Sequence, residues 1–196
     1  MKQIIENSLE KAISYQEYRT LVKELLDQGK STGPNQSEDL LNYSLLNDKR
    51  MKRLDKTTKL SEETLAKIKD VKEPQTWLVI TEGWCGDAAQ NVPVIHKMAE
   101  ENPNINLKIV LRDENLELMD EFLTNGGRAI PKMIVLDNDK NVKNSWGPRP
   151  TVATKMVQDY KAANGALDAT FKKDLQVWYN KDKGNSLQED VVDLFV

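Results

Sequence analysis

Apolar residues recur every three to four positions through the first 26 residues: Ile4, Ile5, Leu9, Ala12, Ile13, Tyr18, Leu21, Val22, Leu25 and Leu26. That period lines one side of a helix and leaves charges on the other. The stretch from Gly29 to Asn35 breaks it, because Gly ends a helix and Pro34 does not continue one. Ser37 is placed to cap a second helix bearing Leu40, Leu41, Leu45 and Leu46. Ser61 is placed to cap a third, with Leu60 and Leu65 spaced as a hydrophobic staple. From Gln75 the texture changes. Thr76 to Thr81 is a short apolar run of buried-strand type. Val92, Ile95 and Ala99 return to helical spacing, Ile105 to Leu111 is a second strand, and Asn115 to Leu123 a short helix. Lys132 to Leu136 and Val142 to Trp146 flank the polar turn Asp137-Asn138-Asp139-Lys140, which predicts an antiparallel pair. Helices from about Thr151 and Ala166 finish the chain. Strand, helix, strand, helix, hairpin and helix predict an α/β unit, a mixed central sheet flanked by helices.

This order divides the chain into a helical N-terminal extension (residues 1–72), an α/β domain (73–163) and a C-terminal helical segment (164–196) packed on the same unit. The apolar stripe of the first helix would lie exposed unless the extension packs on the domain. Composition narrows the class. With 28 basic and 31 acidic residues the formal charge is −3, which argues against a nucleic-acid-coating protein. The mean hydropathy is −0.62 and no apolar run approaches the roughly 18 residues that span a bilayer. The first residues lack a long apolar stretch with a cleavage site, so no secretory signal is expected. One cysteine and one histidine exclude an internal disulfide and a Cys/His zinc site. A cytoplasmic location is expected, with no metal and no cofactor.

Chemistry concentrates in Thr81-Glu82-Gly83-Trp84-Cys85-Gly86-Asp87-Ala88. The segment leaves a buried strand, turns, and enters a helix. There Cys85 would meet unpaired backbone N–H groups and the positive end of the helix dipole, both of which favour thiolate. The opposing reading is a lone cysteine buried as a small hydrophobe. Elsewhere signals are weaker. His96 lies about three helical turns beyond Cys85, too far to act as its base. Lys49-Arg50-Met51-Lys52-Arg53 is bracketed by Asp48 and Asp55 and reads first as a solvated helix face, with a site for an anionic partner as the alternative. Asp113-Glu114 and Asp137/Asp139 read as caps and turn formers. No phosphate loop or Ser-His-Asp set is apparent.

Trp84-Cys85-Gly86-Asp87-Ala88 resembles the Trp-Cys-Gly-Pro-Cys active site of the thioredoxin superfamily. Gly127-Arg128-Ala129-Ile130-Pro131-Lys132-Met133, some 46 residues on, is similar to the family's segment around its cis-proline. The element order matches from about Glu73 to Ala163, and with the helical extension the chain resembles bacterial thioredoxin-like proteins. The resemblance implies a thioredoxin fold. It makes Cys85 the attacking cysteine, Pro131 a cis-proline beside its sulfur, and Trp84, Gly86, Ile130 and Pro131 the surface that substrates touch.

The departures set the expected chemistry. Ala88 stands where the resolving cysteine belongs, and Val79 where thioredoxins carry a buried acid. Capture of a disulfide as a mixed disulfide remains open to this chain, but release by an internal thiol does not. Asp87 replaces the family's proline; its carboxylate would accept N–H bonds from the first helical turn and compete with the thiolate. Lys132 and Arg128, flanking Pro131, are candidates for compensating charge. The leading expectation is a monothiol oxidoreductase. It would act on a protein disulfide or sulfenic acid, with a small thiol or a partner's thiol as resolver, and with neither nucleic acid nor membrane as partner. The alternative is a binding module or redox sensor using the groove beside Trp84 and Pro131. Iron–sulfur handling would need a small-thiol-binding pattern that is missing around Cys85.

Overall fold

A computed structural model describes residues 1–195. The first amphipathic stretch is two helices rather than one. α1 (Lys2–Glu10) stops, and α2 (Tyr15–Asp27) restarts at Ser14. The Ser14 hydroxyl accepts the Glu17 N–H, and the Glu17 carboxylate accepts the Ser14 N–H at 2.7 Å, a reciprocal cap that fixes the new start. In the gap, Ile13 exchanges two backbone hydrogen bonds with Ile109, of 2.9 and 2.8 Å. α3 (Glu38–Thr57) and α4 (Glu62–Lys69) begin at Ser37 and Ser61, whose hydroxyls accept the N–H three residues on.

Then follow β1 (Gln75–Thr81), α5 (Gly86–Glu100), β2 (Ile105–Leu111), α6 (Leu116–Asp120), β3 (Lys132–Leu136) and β4 (Val142–Trp146). The chain continues through α7 (Thr151–Asn164), α8 (Ala169–Asp182) and α9 (Asn185–Val192). The helical region expected from Ala166 is therefore divided. Lys183 and Gly184, at φ of 57° and 82°, take left-handed conformations that end α8.

The sheet runs β2-β1-β3-β4, with β1 parallel to β2 and antiparallel to β3, and β3 antiparallel to β4. The period of two along β1 sends its side chains to different cores. Trp77 and Val79 pack in a cluster with Tyr15, Tyr18, Met51, Ile68 and Ile95, so the N-terminal helices share the core on that face. Leu78 and Ile80 pack with Ile5, Leu118 and Ile134 on the other. A third cluster joins α7 to α8 through Val157, Phe171, Leu175 and Tyr179. Each fully buried aliphatic side chain contributes roughly 1.5–3 kcal/mol. β4 is exposed along Val142, Lys143, Asn144 and Ser145, and its register against β3 shifts between Val135 and Leu136. Among the described residues no helix is long and apolar enough to cross a membrane.

Candidate thiol site

β1 delivers the chain to a buried turn at its carboxyl end. Glu82 is fully buried, an arrangement the composition gave no sign of. Its carboxylate accepts the Thr32 hydroxyl and the Asp113 N–H, the latter at 3.0 Å, and burial raises its pKa. The Thr32 hydroxyl oxygen also accepts the Gly83 N–H at 2.8 Å, while the Asn47 amide donates to the Gly83 carbonyl at 2.9 Å. Thr32 lies in the Gly29–Asn35 break and Asn47 in α3. The extension thus holds both backbone polar groups of one residue, Gly83, two positions before Cys85. Thr32→Val leaves the Gly83 N–H and the buried Glu82 without their partner. It is expected to cost about 2–3 kcal/mol in urea unfolding; a change below about 0.5 kcal/mol would contradict this grip.

Cys85 is the N-cap of α5, in extended conformation. Its sulfur accepts the Ala88 N–H at 3.4 Å, and its thiol donates to the Ile130 carbonyl at 3.3 Å. Ile130 is buried and its carbonyl lies against the sulfur; the Ile130–Pro131 bond is cis. Gly147–Pro148 is also cis, which sequence reasoning did not anticipate. Trp84 is half-buried, packing on the apolar cluster beneath it, and the Arg112 guanidinium lies 4.7 Å above its ring.

The expected low pKa of Cys85 is overturned. Burial pushes the thiol up to about 12, and the charge of Asp87 adds to the rise. The Ala88 and Asp87 N–H groups and Arg149 act in the opposite sense. The balance follows from magnitudes. A helix terminus contributes about 0.3–1 kcal/mol in exposed settings, whereas desolvating a charge shifts a buried group by up to about 3–5 pKa units, several kcal/mol. Cys85 is only partly exposed, so desolvation wins.

Asp87 does not cap the helix through its side chain; the sulfur does. Its Oδ2 lies 2.6 Å from Nη2 of Arg149 and its Oδ1 accepts the Tyr179 hydroxyl at 2.9 Å. Burial raises the Asp87 pKa, opposed first by Arg149. Arg149 is the cation beside the thiol, and sequence reading missed it. The available signal was its place between Pro148 and Pro150, both buried, where backbone freedom is low. Lys132 is buried and gives its ammonium to Thr124 Oγ1 and the Gly147 carbonyl, each at 3.0 Å; Arg128 forms a fork with Asp120. Gly86 faces α3 and α8. A side chain there would meet Gln176 Nε2 at 3.3 Å and Arg50 Nη1 at 3.8 Å. In the basic run of α3, Lys49, Lys52 and Arg53 are exposed as a solvated face, and Arg50 alone is half-buried toward Gly86. His96 stacks on Tyr15 with centroids 4.1 Å apart, in a groove of α2, α3 and α5 remote from the thiol. Among the described residues no cluster of His, Cys, Asp and Glu could hold a metal.

A family model described as thioredoxin, Thioredoxin_9, matches residues 33–161. Among solved structures, an HIV epitope-scaffold aligns with a TM-score of 0.58 at 17% identity, covering 88% of this chain and 96% of its own. A protein of unknown function from Pseudomonas aeruginosa aligns with a TM-score of 0.57 at 19% identity, covering 88% and 95%. At such identity the two share the fold alone. No protein with a curated description matches.

Proposed function

The chain belongs to the thioredoxin family, and from that premise we propose that it is a monothiol exchange protein. The Cys85 thiolate attacks one sulfur of a disulfide R–S–S–R, forms Cys85–S–S–R and releases RS⁻. A second thiol, from solution or a partner protein, then attacks the mixed disulfide and frees Cys85. With a sulfenic acid as substrate the same bond forms with loss of water. The observation carrying this reading is the contact of the Cys85 sulfur with the Ile130 carbonyl beside Pro131, at the entry of α5. Resolution must come from outside because the chain has one cysteine.

The raised Cys85 pKa favours a second reading, a binding module or redox sensor whose thiol is silent at neutral pH. Iodoacetamide labelling against pH separates them. A thiol held up to about 12 labels slowly at neutral pH and ever faster into alkali, well past the ordinary value of 9.0. A profile that flattens near the ordinary value would show that desolvation does not govern the site. If mixed disulfides with small thiols never form and partner binding survives Cys85→Ser, the second reading replaces the first.

A further inference from the structure

α3, one of the two helices that face Gly86, carries two cations, Arg50 and Arg53, whose side-chain hydrogen bonds go to uncharged partners. Arg50 is half-buried, its Nη1 donates to the uncharged Oδ1 of Asn47 at 2.8 Å, and it lies beside the residue next to Cys85. Gln176 accepts from Gln90 through its Oε1, so its amide N–H₂ is the end turned to Gly86. One turn further along both helices, Arg53 donates to the Asn180 amide oxygen at 2.7 Å, again an uncharged partner.

Beyond this pair a cavity of about 380 Å³ opens between the ends of α3 and α8. Arg53, Lys59 and Lys183 line it, and among the described residues no acidic side chain does. The hydroxyl oxygen of Thr58, also in its wall, is buried without a hydrogen-bond partner. Tyr179 connects the two places, since it lines the cavity and its hydroxyl holds Asp87. Gln176 lies in α8 seven residues before Lys183, the residue that ends the helix, a reach of about 10 Å. Half-burying a cation, as at Arg50, is unfavourable unless an anion or hydrogen bonds compensate, whereas Arg53, Lys59 and Lys183 stay exposed to any arriving anion. This strip offers donors in excess of acceptors.

We propose that Arg50, Gln176 and the cation-lined cavity form an anion-recognition strip beside Cys85, so that the mixed-disulfide partner is a small carboxylate-bearing disulfide. The inference rests on the monothiol reading. A carboxylate on the partner accepts from Arg50 and Gln176 while its sulfur meets Cys85; a second anionic group reaches the cavity. Without such a strip, a site whose nucleophile is anionic and adjacent to Asp87 would react more slowly with anionic disulfides than with neutral ones.

Three probes of similar size test this at mildly alkaline pH: dithiodipropionate (dianionic), hydroxyethyl disulfide (neutral) and cystamine (dicationic). The readout is the rate of adduct formation at Cys85 by intact mass. Wild type is expected to react about tenfold faster with the dianion than with the neutral probe, the value of one charge-assisted contact. In Arg50→Gln that ratio should fall to near one, and in Lys59→Gln it should fall partway. The ratio normalises any general effect of a substitution on Cys85. A wild-type ratio at or below one, or a preference that persists in both variants, would overturn the proposal while leaving monothiol exchange standing. If no probe forms an adduct, the exchange reading fails and the strip's assignment falls with it.

Discussion

Replacing Gly147 with alanine is expected to destabilise the protein by about 3–5 kcal/mol, the sum of a left-handed conformation forced on a side chain and an overpacked contact. Gly147 sits at φ 113°, and an added Cβ would fall 2.2 Å from the Pro131 carbonyl oxygen and 3.2 Å from its carbon. Those atoms are backbone, so no rotamer change relieves the clash. Relief requires moving the strand end that carries Lys132, whose ammonium is itself bound to the Gly147 carbonyl. Urea unfolding measures the loss. Gly165→Ala is the control: its φ is 78° but nothing lies within 4 Å of its added Cβ, so only conformational strain of about 1 kcal/mol is expected. Similar losses at the two sites would show that the Pro131 contact carries no special weight.

Asp87→Asn should lower the Cys85 pKa and speed its alkylation at neutral pH. The sign follows from the charges. The Asp87 carboxylate raises the thiol pKa, and its removal both deletes that repulsion and frees Arg149 to face the thiolate. The gain in rate is smaller than the gain in thiolate. A tenfold larger thiolate fraction gives about a threefold faster reaction, because nucleophilicity falls with basicity. Alkylation about three- to tenfold faster than wild type is therefore expected. The cost appears in stability, since Arg149 and Tyr179 lose an anionic partner; about 1–3 kcal/mol is expected for this partly exposed pair. Alkylation unchanged or slowed would mean that Asp87 and Arg149 act on the thiol as one neutral unit.

The fold was legible because its elements announce themselves locally. The strand runs of β1 and β3, the serines that cap α3 and α4, and the polar turn before β4 each carry their own signal. The break between α1 and α2 was not read, although Ser14 and Glu17 spell a capping box, because the apolar stripe runs unbroken across it. At the site, Cys85 and Pro131 were found by motif, and the structure brings the sulfur to the carbonyl preceding that proline. What escaped were the partners at long sequence distance that no motif marks. Arg149 lies 62 positions from Asp87, Tyr179 lies 92, and Thr32 lies 50 from Glu82. None of these pairings has a period or a spacing to betray it. The thiol pKa went the wrong way for a related reason: the helix terminus is visible in sequence, while the burial that outweighs it is a property of the assembled molecule.

A four-stranded sheet has two edges, and here each is denied to another chain by a different device. The β2 edge is occupied at Ile109 by Ile13, so a newcomer finds its central hydrogen-bonding pair already taken. The β4 edge is five residues long, carries exposed Lys143, has slipped register behind it, and ties Asn144 to the Leu194 carbonyl at 2.7 Å. Short length, a lysine and an irregular pairing are the features that discourage strand-to-strand accretion. Crowded conditions that drive flat-edged sheet proteins into fibrous aggregates therefore meet, among the described residues, two interrupted edges in place of a long flat template.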